Sequence, residues 1–203
     1  MNKQIILLIS TLIFLSGCIT SQPSKFYILT PTKYSADKSN SFVKNIKVGL
    51  GPISIAKYLD RSQLVVRLTQ NQIRLEDFHQ WAGSPRDDIP AIILENISNI
   101  LSVDTIYKYP WRSNADIDYQ VVLEIMQLDG RPDTSVRVVA RWEILKSDDL
   151  RTIKVGKADF TEPVSEAITE SFSGNMFDSF VAAQSRAIGK LSKMIAKSLV
   201  ELN

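Results

Sequence analysis

The stretch VRVVARWEI, residues 136–144, has the alternating side chains that are typical of a strand with one buried face. Successive side chains of a strand point to opposite faces of its sheet. The predicted inner face carries five apolar residues, which are Val136, Val138, Ala140, Trp142 and Ile144. The other face carries the charged residues Arg137, Arg141 and Glu143. This strand therefore predicts a sheet that packs its apolar side against another layer.

The segments on both sides of this strand predict a larger sheet. Residues 117–128 form a long β-like segment, and the turn-forming residues DGRPD at 129–133 lead the chain back. Residues 150–160 give a further, weaker strand. Towards the N-terminus, strands are predicted at residues 26–29, 44–55, 64–68, 72–78 and 105–109. The stretch GLGP at 49–52 interrupts the second of these and predicts a bulge or a strand end.

Two segments have the helical spacing of apolar side chains. In the first, residues 87–103, Asp87 or Asp88 can cap the helix and Pro90 falls in its first turn. The second is a long amphipathic helix over residues 175–202. Strands and helices in this order predict an α+β fold of one domain, with a mostly antiparallel or mixed β-sheet and two main helices packed on one face.

The N-terminus has the composition of a lipoprotein signal peptide. Lys3 precedes the apolar run IILLISTLIFL at 5–15, and the motif LSGC follows at 15–18. The run is shorter than the roughly 20 apolar residues that cross a bilayer. LSGC resembles a bacterial lipobox, which implies cleavage before Cys18 and acylation of its thiol and of the new N-terminus. The alternative is an ordinary secretory cleavage beside an unrelated cysteine.

These signals divide the chain into three parts. We predict a lipoprotein signal peptide at residues 1–17, a lipidated N-terminus and tether at 18–25, and a single α+β domain at 26–203. Residues 19–25 span at most about 25 Å when extended, so the domain begins close to the membrane. Residue 19 is Ile and not Asp. By resemblance to the lipoprotein sorting rule, this implies the outer membrane, with the domain facing the periplasm.

The composition argues against nucleic-acid binding and most kinds of catalysis. The formal net charge is only +2, and no basic block stands out. The chain has one histidine, His79, and one cysteine, so triads, thiol chemistry and zinc sites lack partners. We interpret His79 as a surface or turn residue. Carboxylate catalysis stays open for acids such as Asp60, although acids are common in any domain. We predict a protein that is not an enzyme and has no cofactor or metal.

The stretch YLDRSQLVVR, residues 58–67, allows three interpretations. Asp60 beside Arg61 fits a catalytic pair, a charged turn that leads into strand 64–68, or a surface for another protein. The scarcity of other catalytic groups favours the turn. Since aromatic and arginine side chains anchor many interfaces, we consider six residues as candidates for partner binding: Tyr58, Leu59, Arg61, Arg67, Trp81 and Trp111. A core or ion-paired role is the alternative for each.

Several short motifs together resemble one family. They are FYIL at 26–29, VG and GP within 48–52, YLDR at 58–61, VR at 66–67, Asn71, WA at 81–82, YPW at 109–111 and DY at 118–119. In this combination the chain resembles the PqiC-like auxiliary lipoproteins of ABC-type lipid transport systems, which are associated with MCE (mammalian cell entry) proteins. Two departures are Ser62, where the family often has Pro, and Gly83-Ser84-Pro85, where an acid followed by Pro-Leu is more usual.

The resemblance implies a non-enzymatic role. Such a lipoprotein would dock an MCE-domain protein that spans the periplasm, help lipids to pass between the membranes and contribute to membrane integrity. A homo-oligomer is compatible with this role. Two other hypotheses stay open from the residues alone: a lipoprotein that regulates a cell-wall (murein) synthase, and a periplasmic hydrolase that uses carboxylates.

Overall fold

In a computed structural model of the chain, the described residues are 22–33, 46–103, 105–112, 116–164 and 176–202. Their elements, in chain order, are β1 (Lys25–Tyr27), β2 (Val48–Ile55), β3 (Gln63–Arg67), β4 (Ile73–Trp81), α1 (Pro85–Leu101), β5 (Ile106–Lys108), β6 (Tyr119–Arg131), β7 (Ser135–Lys146), β8 (Thr152–Pro163) and α2 (Met176–Val200). This confirms the predicted α+β domain with two main helices. The predicted signal peptide and Cys18 lie outside the described residues.

The sheet is mixed and is organised around β6. On one side β6 pairs antiparallel with β7, which in turn pairs antiparallel with β8. On the other side β6 pairs in parallel with β2 and, near its end, with β3 at Val66 and Gly130. Beyond β2 lies β5, and beyond β3 lie β4 and then β1. The pairing of β2 with β6 shifts register between Leu50 and Ile53, which confirms the bulge predicted at GLGP.

The strand β7, which lies between β6 and β8, carries the alternation that its sequence predicts. All five of its predicted inner residues are buried: Val136, Val138, Ala140, Trp142 and Ile144. Trp142 fits because its neighbour on β8 is Gly156, where a Cβ atom would lie 2.2 Å from the indole ring. A residue without a side chain is therefore required beside the largest residue of this face.

The two helices pack against each other and against the sheet. In the contact pattern, α1 lies on β2 and β5, whereas α2 lies across β6, β7 and β8. The residues of α2 that face the core include Phe180, Ile188, Leu191, Ile195 and Leu199, all essentially inaccessible to solvent. No helix among the described residues has the length and apolar character needed to cross a membrane.

The predicted start of α1 and the predicted turn at 129–133 were wrong. The helix α1 begins at Pro85, with Ser84 as its N-cap residue, so Asp87 and Asp88 lie in the first turn and Pro90 lies further inside the helix. The turn predicted at 129–133 begins later, because β6 continues to Arg131 and pairs Asp129 and Gly130 with β7. Asp129 can continue the strand because side chains from other parts of the chain donate hydrogen bonds to its carboxylate.

Candidate functional site

The Asp129 cluster, formed by Tyr58, Arg67, Gln127 and Asp129, lies under the YLDR stretch. The Asp129 side chain is 0% exposed. Arg67 donates from Nε to Oδ1 and from Nη2 to Oδ2, both at 2.7 Å. The Tyr58 hydroxyl donates to Oδ2 at 2.6 Å, and Gln127 Nε2 donates to Oδ1 at 2.8 Å. Each carboxylate oxygen thus accepts two hydrogen bonds, which is what a buried charge requires.

Three elements bring this cluster together. Arg67 is the last residue of β3, and Asp129 lies in β6 beside the point where β3 and β6 pair. Tyr58 belongs to the turn between β2 and β3, and its ring lies 5.9 Å from the Arg67 guanidinium carbon. Arg67 also donates from Nη1 to the Gln70 carbonyl at 2.9 Å. The cluster therefore attaches the YLDR turn and the β3–β4 hairpin to strand β6.

The electrostatics of the cluster keep Asp129 ionised. Burial by itself raises the pKa of Asp129, but the hydrogen bonds from Arg67, Tyr58 and Gln127 outweigh it and hold the pKa below its usual value. Burial, followed by the hydrogen bond to Asp129, raises the pKa of Tyr58. Neither group exchanges a proton readily near neutral pH. The arrangement is suited to structural support and not to general acid–base catalysis.

The lowered pKa of Asp129 predicts a pH dependence of the free energy of unfolding. The ionised carboxylate stabilises the folded state at pH values above the unfolded pKa of about 4, and this contribution is lost as the pH falls through the folded pKa. We expect the difference between the wild-type protein and Asp129→Asn to stay constant from about pH 8 to 5 and to shrink below about pH 4. Urea denaturation across this range measures it. A difference that grows on acidification would contradict this assignment.

The remaining YLDR residues have separate partners. Arg61 donates from Nε to the Tyr58 carbonyl at 2.8 Å and so fixes the turn. Asp60 is ion-paired not with Arg61 but with Arg86, in the first turn of α1. Leu59 is buried, and it lines a small pocket together with Trp81. Trp81 is half-buried at the end of β4, and its backbone N–H donates to the Ser62 carbonyl at 2.7 Å.

Trp111 lies apart from this group, on the β2–β5 side of the sheet. Its ring meets that of Tyr109 edge to face, with centroids 5.3 Å apart. A Cβ atom at Gly49 would lie 2.9 Å from the Trp111 ring, and one at Gly51 would lie 2.6 Å from Tyr109 Cβ. The GLGP motif therefore packs against the YPW motif, with Gly49 against Trp111 and Gly51 against Tyr109. The structure brings together five of the six candidate partner-binding residues, and their contact with a partner stays a prediction.

Most of the cost of a side chain at position 49 should depend on Trp111, with a smaller part from Ile117, whose Cδ1 would lie 3.1 Å from the added Cβ atom. We expect Gly49→Ala to lower the free energy of unfolding by about 1–3 kcal/mol, because the methyl group displaces the indole. In a Trp111→Ala background this cost should fall, with a coupling energy of about 0.5–3 kcal/mol. A double-mutant cycle by urea denaturation gives this value. Equal costs in the two backgrounds would show that the contact is unimportant.

His79 lies in β4 and not in a turn, because β4 extends to Trp81. The Tyr27 hydroxyl and His79 Nδ1 are 2.6 Å apart, and the imidazole stacks on Phe177 with centroids 3.8 Å apart. Burial lowers the pKa of His79. The histidine thus joins β1, β4 and α2. Sequence reasoning did not find this contact, because its three members lie far apart in the chain.

A groove of about 920 Å³ runs along β8 and α2. Phe160 and Met194 contribute apolar surface, and Lys157, Lys190 and Lys193 are among its charged lining residues. Lys190 forms an ion pair with Glu162. Among the described residues, no group of three or more His, Cys, Asp or Glu side chains is arranged to hold a metal ion.

Comparisons with known proteins agree with this geometry. Residues 27–196 match the model of a family described as "ABC-type transport auxiliary lipoprotein component". No curated protein matches the chain significantly. A solved structure of protein XCC0632 from Xanthomonas campestris, of the DUF330 family, has a TM-score of 0.69 at 14% identity and covers 87% of this chain and 95% of its own. An uncharacterized protein of known structure has a TM-score of 0.63 at 15% identity, covering 88% of this chain and 99% of its own.

At these identities the solved structures show a shared fold. The family match extends over most of the chain, from within β1 to within α2, and so includes the Asp129 cluster and the Trp111 contact. The chain therefore belongs to the family of ABC-type transport auxiliary lipoprotein components.

Proposed function

We propose that this protein is an outer-membrane lipoprotein that acts as a non-enzymatic docking subunit of an MCE-type ABC lipid transport system. The observation that carries the proposal is the family match over residues 27–196, directly after the lipobox-like motif that ends at Cys18. In this role the domain holds the far end of a periplasm-spanning MCE assembly at the outer membrane. Its contribution to membrane integrity follows from that link.

The Asp129 cluster supports a docking role because it makes the YLDR turn rigid before any partner binds. A surface that is already ordered loses less conformational entropy on association. All of the six candidate residues except Leu59 retain partial exposure. We assign direct partner contact to Arg61, Trp81 and Trp111, whose side chains are not bound to Asp129. We assign a supporting role to the other three residues. Leu59 packs in the core, and the side chains of Tyr58 and Arg67 donate hydrogen bonds to Asp129.

Affinity purification of the detergent-solubilised protein tests the proposal. An MCE-domain protein should be recovered after crosslinking, and Arg61→Ala should reduce its recovery. A matched control is Arg141→Ala, which removes a more exposed arginine, ion-paired with Glu124 on the β6–β7 hairpin. Recovery of a murein synthase in place of the MCE protein would contradict the proposal and support the regulatory alternative.

A further inference from the structure

The first strand presents apolar side chains to solvent beside the tether. In the parallel pairing of β1 with β4, Lys25 lies opposite His79, Phe26 opposite Gln80 and Tyr27 opposite Trp81. Because side chains alternate between the two faces, Tyr27, like His79 and Trp81, points towards the core. Phe26 then lies on the outer face, together with Phe78, two residues before Gln80.

Phe26 and Phe78 lie on neighbouring strands, and Ile28 follows the end of β1 two residues after Phe26. Phe26 and Ile28 are each 64% exposed, and Phe78 is 43% exposed. We call these three residues the Phe26 patch. Among the described strands β1 pairs only with β4, so the patch lies at one end of the sheet. A group of adjacent exposed apolar side chains usually marks a contact surface, whereas single ones carry no such meaning.

The patch is firmly attached to the body of the domain. Tyr27 and Leu29, which alternate with Phe26 and Ile28 along the chain, are buried in the core. The Tyr27 carbonyl accepts a hydrogen bond from the Ala82 N–H at 2.9 Å, and the Thr30 N–H donates to Ser185 Oγ of α2 at 3.2 Å. The patch is therefore attached both to the sheet and to α2.

Few residues separate the Phe26 patch from Cys18, and this short separation points to a lipid bilayer as its contact. From Cys18, residues 19–26 span at most about 28 Å when fully extended, and less in any other conformation. A lipidated Cys18 thus keeps the Phe26 patch next to the bilayer that holds the anchor. Apolar and aromatic side chains at such a surface gain free energy by entering the boundary between headgroups and acyl chains.

We propose that the Phe26 patch inserts into the lipid surface beside the anchor and fixes the orientation of the domain on the membrane. The tether alone would leave the domain free to rotate. With Phe26, Ile28 and Phe78 in the lipid, the β1 end of the sheet faces the bilayer. The inference rests on lipidation of Cys18 but not on the identity of the protein partner.

Tryptophan fluorescence of the lipidated protein tests this contact. The full mature lipoprotein, with acylation verified by mass spectrometry, is reconstituted in vesicles of phosphatidylethanolamine and phosphatidylglycerol. Tryptophan is introduced by Phe26→Trp and, as a matched control, by Val155→Trp on β8, where Val155 is 67% exposed. The signal of the wild-type protein, which comes from its own tryptophans, is subtracted from each.

Brominated phospholipid should quench most of the emission added by Phe26→Trp and little of that added by Val155→Trp, while aqueous iodide should show the reverse. If iodide but not brominated lipid quenches position 26, the patch faces water and the inference is wrong. If neither quenches it, the patch is covered by protein, such as a second copy of the chain, and the inference is again wrong. Capture of the MCE partner in cells is a separate measurement. The insertion of the Phe26 patch and the docking of the MCE protein can therefore be refuted independently.

Discussion

Replacing Asp129 with alanine should lower the free energy of unfolding by about 3–5 kcal/mol. The expected cost is large because the carboxylate is 0% exposed and its removal leaves the partly buried Arg67 guanidinium without its counter-charge. Tyr58 and Gln127 lose their acceptor in the same step. Urea denaturation at neutral pH, followed by circular dichroism, measures the change.

A control on the neighbouring strands separates burial from charge. Arg137 and Asp159 form a comparable bidentate pair at 3.0 Å, but their side chains are 53% and 56% exposed. Asp159→Ala should therefore cost no more than about 1 kcal/mol. Equal costs for Asp129→Ala and Asp159→Ala would show that the Asp129 cluster is not a special source of stability. The double variant Arg67→Met/Asp129→Leu should recover part of the loss, since no unpaired charge remains.

Cys18→Ala should abolish acyl labelling and leave the unprocessed precursor in the inner membrane. The thiol is the only group on this side chain that can receive diacylglycerol, and Cys18 is the only cysteine of the chain. Radiolabelled palmitate incorporation and separation of the two membranes on a density gradient measure the two effects. Normal processing of Cys18→Ala, with recovery in the outer membrane, would refute the lipobox assignment.

A second variant distinguishes anchoring from sorting. Ile19→Asp leaves the LSGC motif intact and places at position 19 the residue that the sorting rule associates with the inner membrane. This variant should still be acylated and cleaved, but it should remain in the inner membrane. If Ile19→Asp reaches the outer membrane as the wild-type protein does, the residue at position 19 does not determine the localisation. The lipobox assignment would be unaffected by that result.

The parts of the fold that could be predicted are those in which local pattern and burial agree. The alternation in β7 and the apolar stripe of α2 identify inner faces, because these elements are long and each packs one side on the core. The start of α1 is also accessible, since Ser84 followed by Pro85 is a common helix start, whereas our prediction places the cap at Asp87 or Asp88.

The turn at 129–133 shows what a local pattern leaves undetermined. Asp, Gly and Pro in close succession are typical of a turn. Asp129 continues the strand because Arg67, 62 residues earlier in the chain, supplies its counter-charge. The extension of β4 through His79 has a similar cause, because the distant strand β1 pairs with it. In the candidate site, the residue types of YLDR were identified from the sequence, but their division into residues held by Asp129 or the core and residues free to contact a partner depends on these long-range partners.

The most direct test of the docking role is site-specific photocrosslinking in living cells. A photoreactive amino acid replaces the exposed Ser62, directly after the YLDR stretch, and, as a control, the exposed Val155 on β8. Arg61 itself is kept, because its removal should weaken the contact. Mass spectrometry identifies the captured proteins. The docking role predicts an MCE-domain protein crosslinked from position 62 and much less from position 155. Consistent absence of an MCE-domain protein at position 62, in a variant that is acylated and located normally, would contradict it.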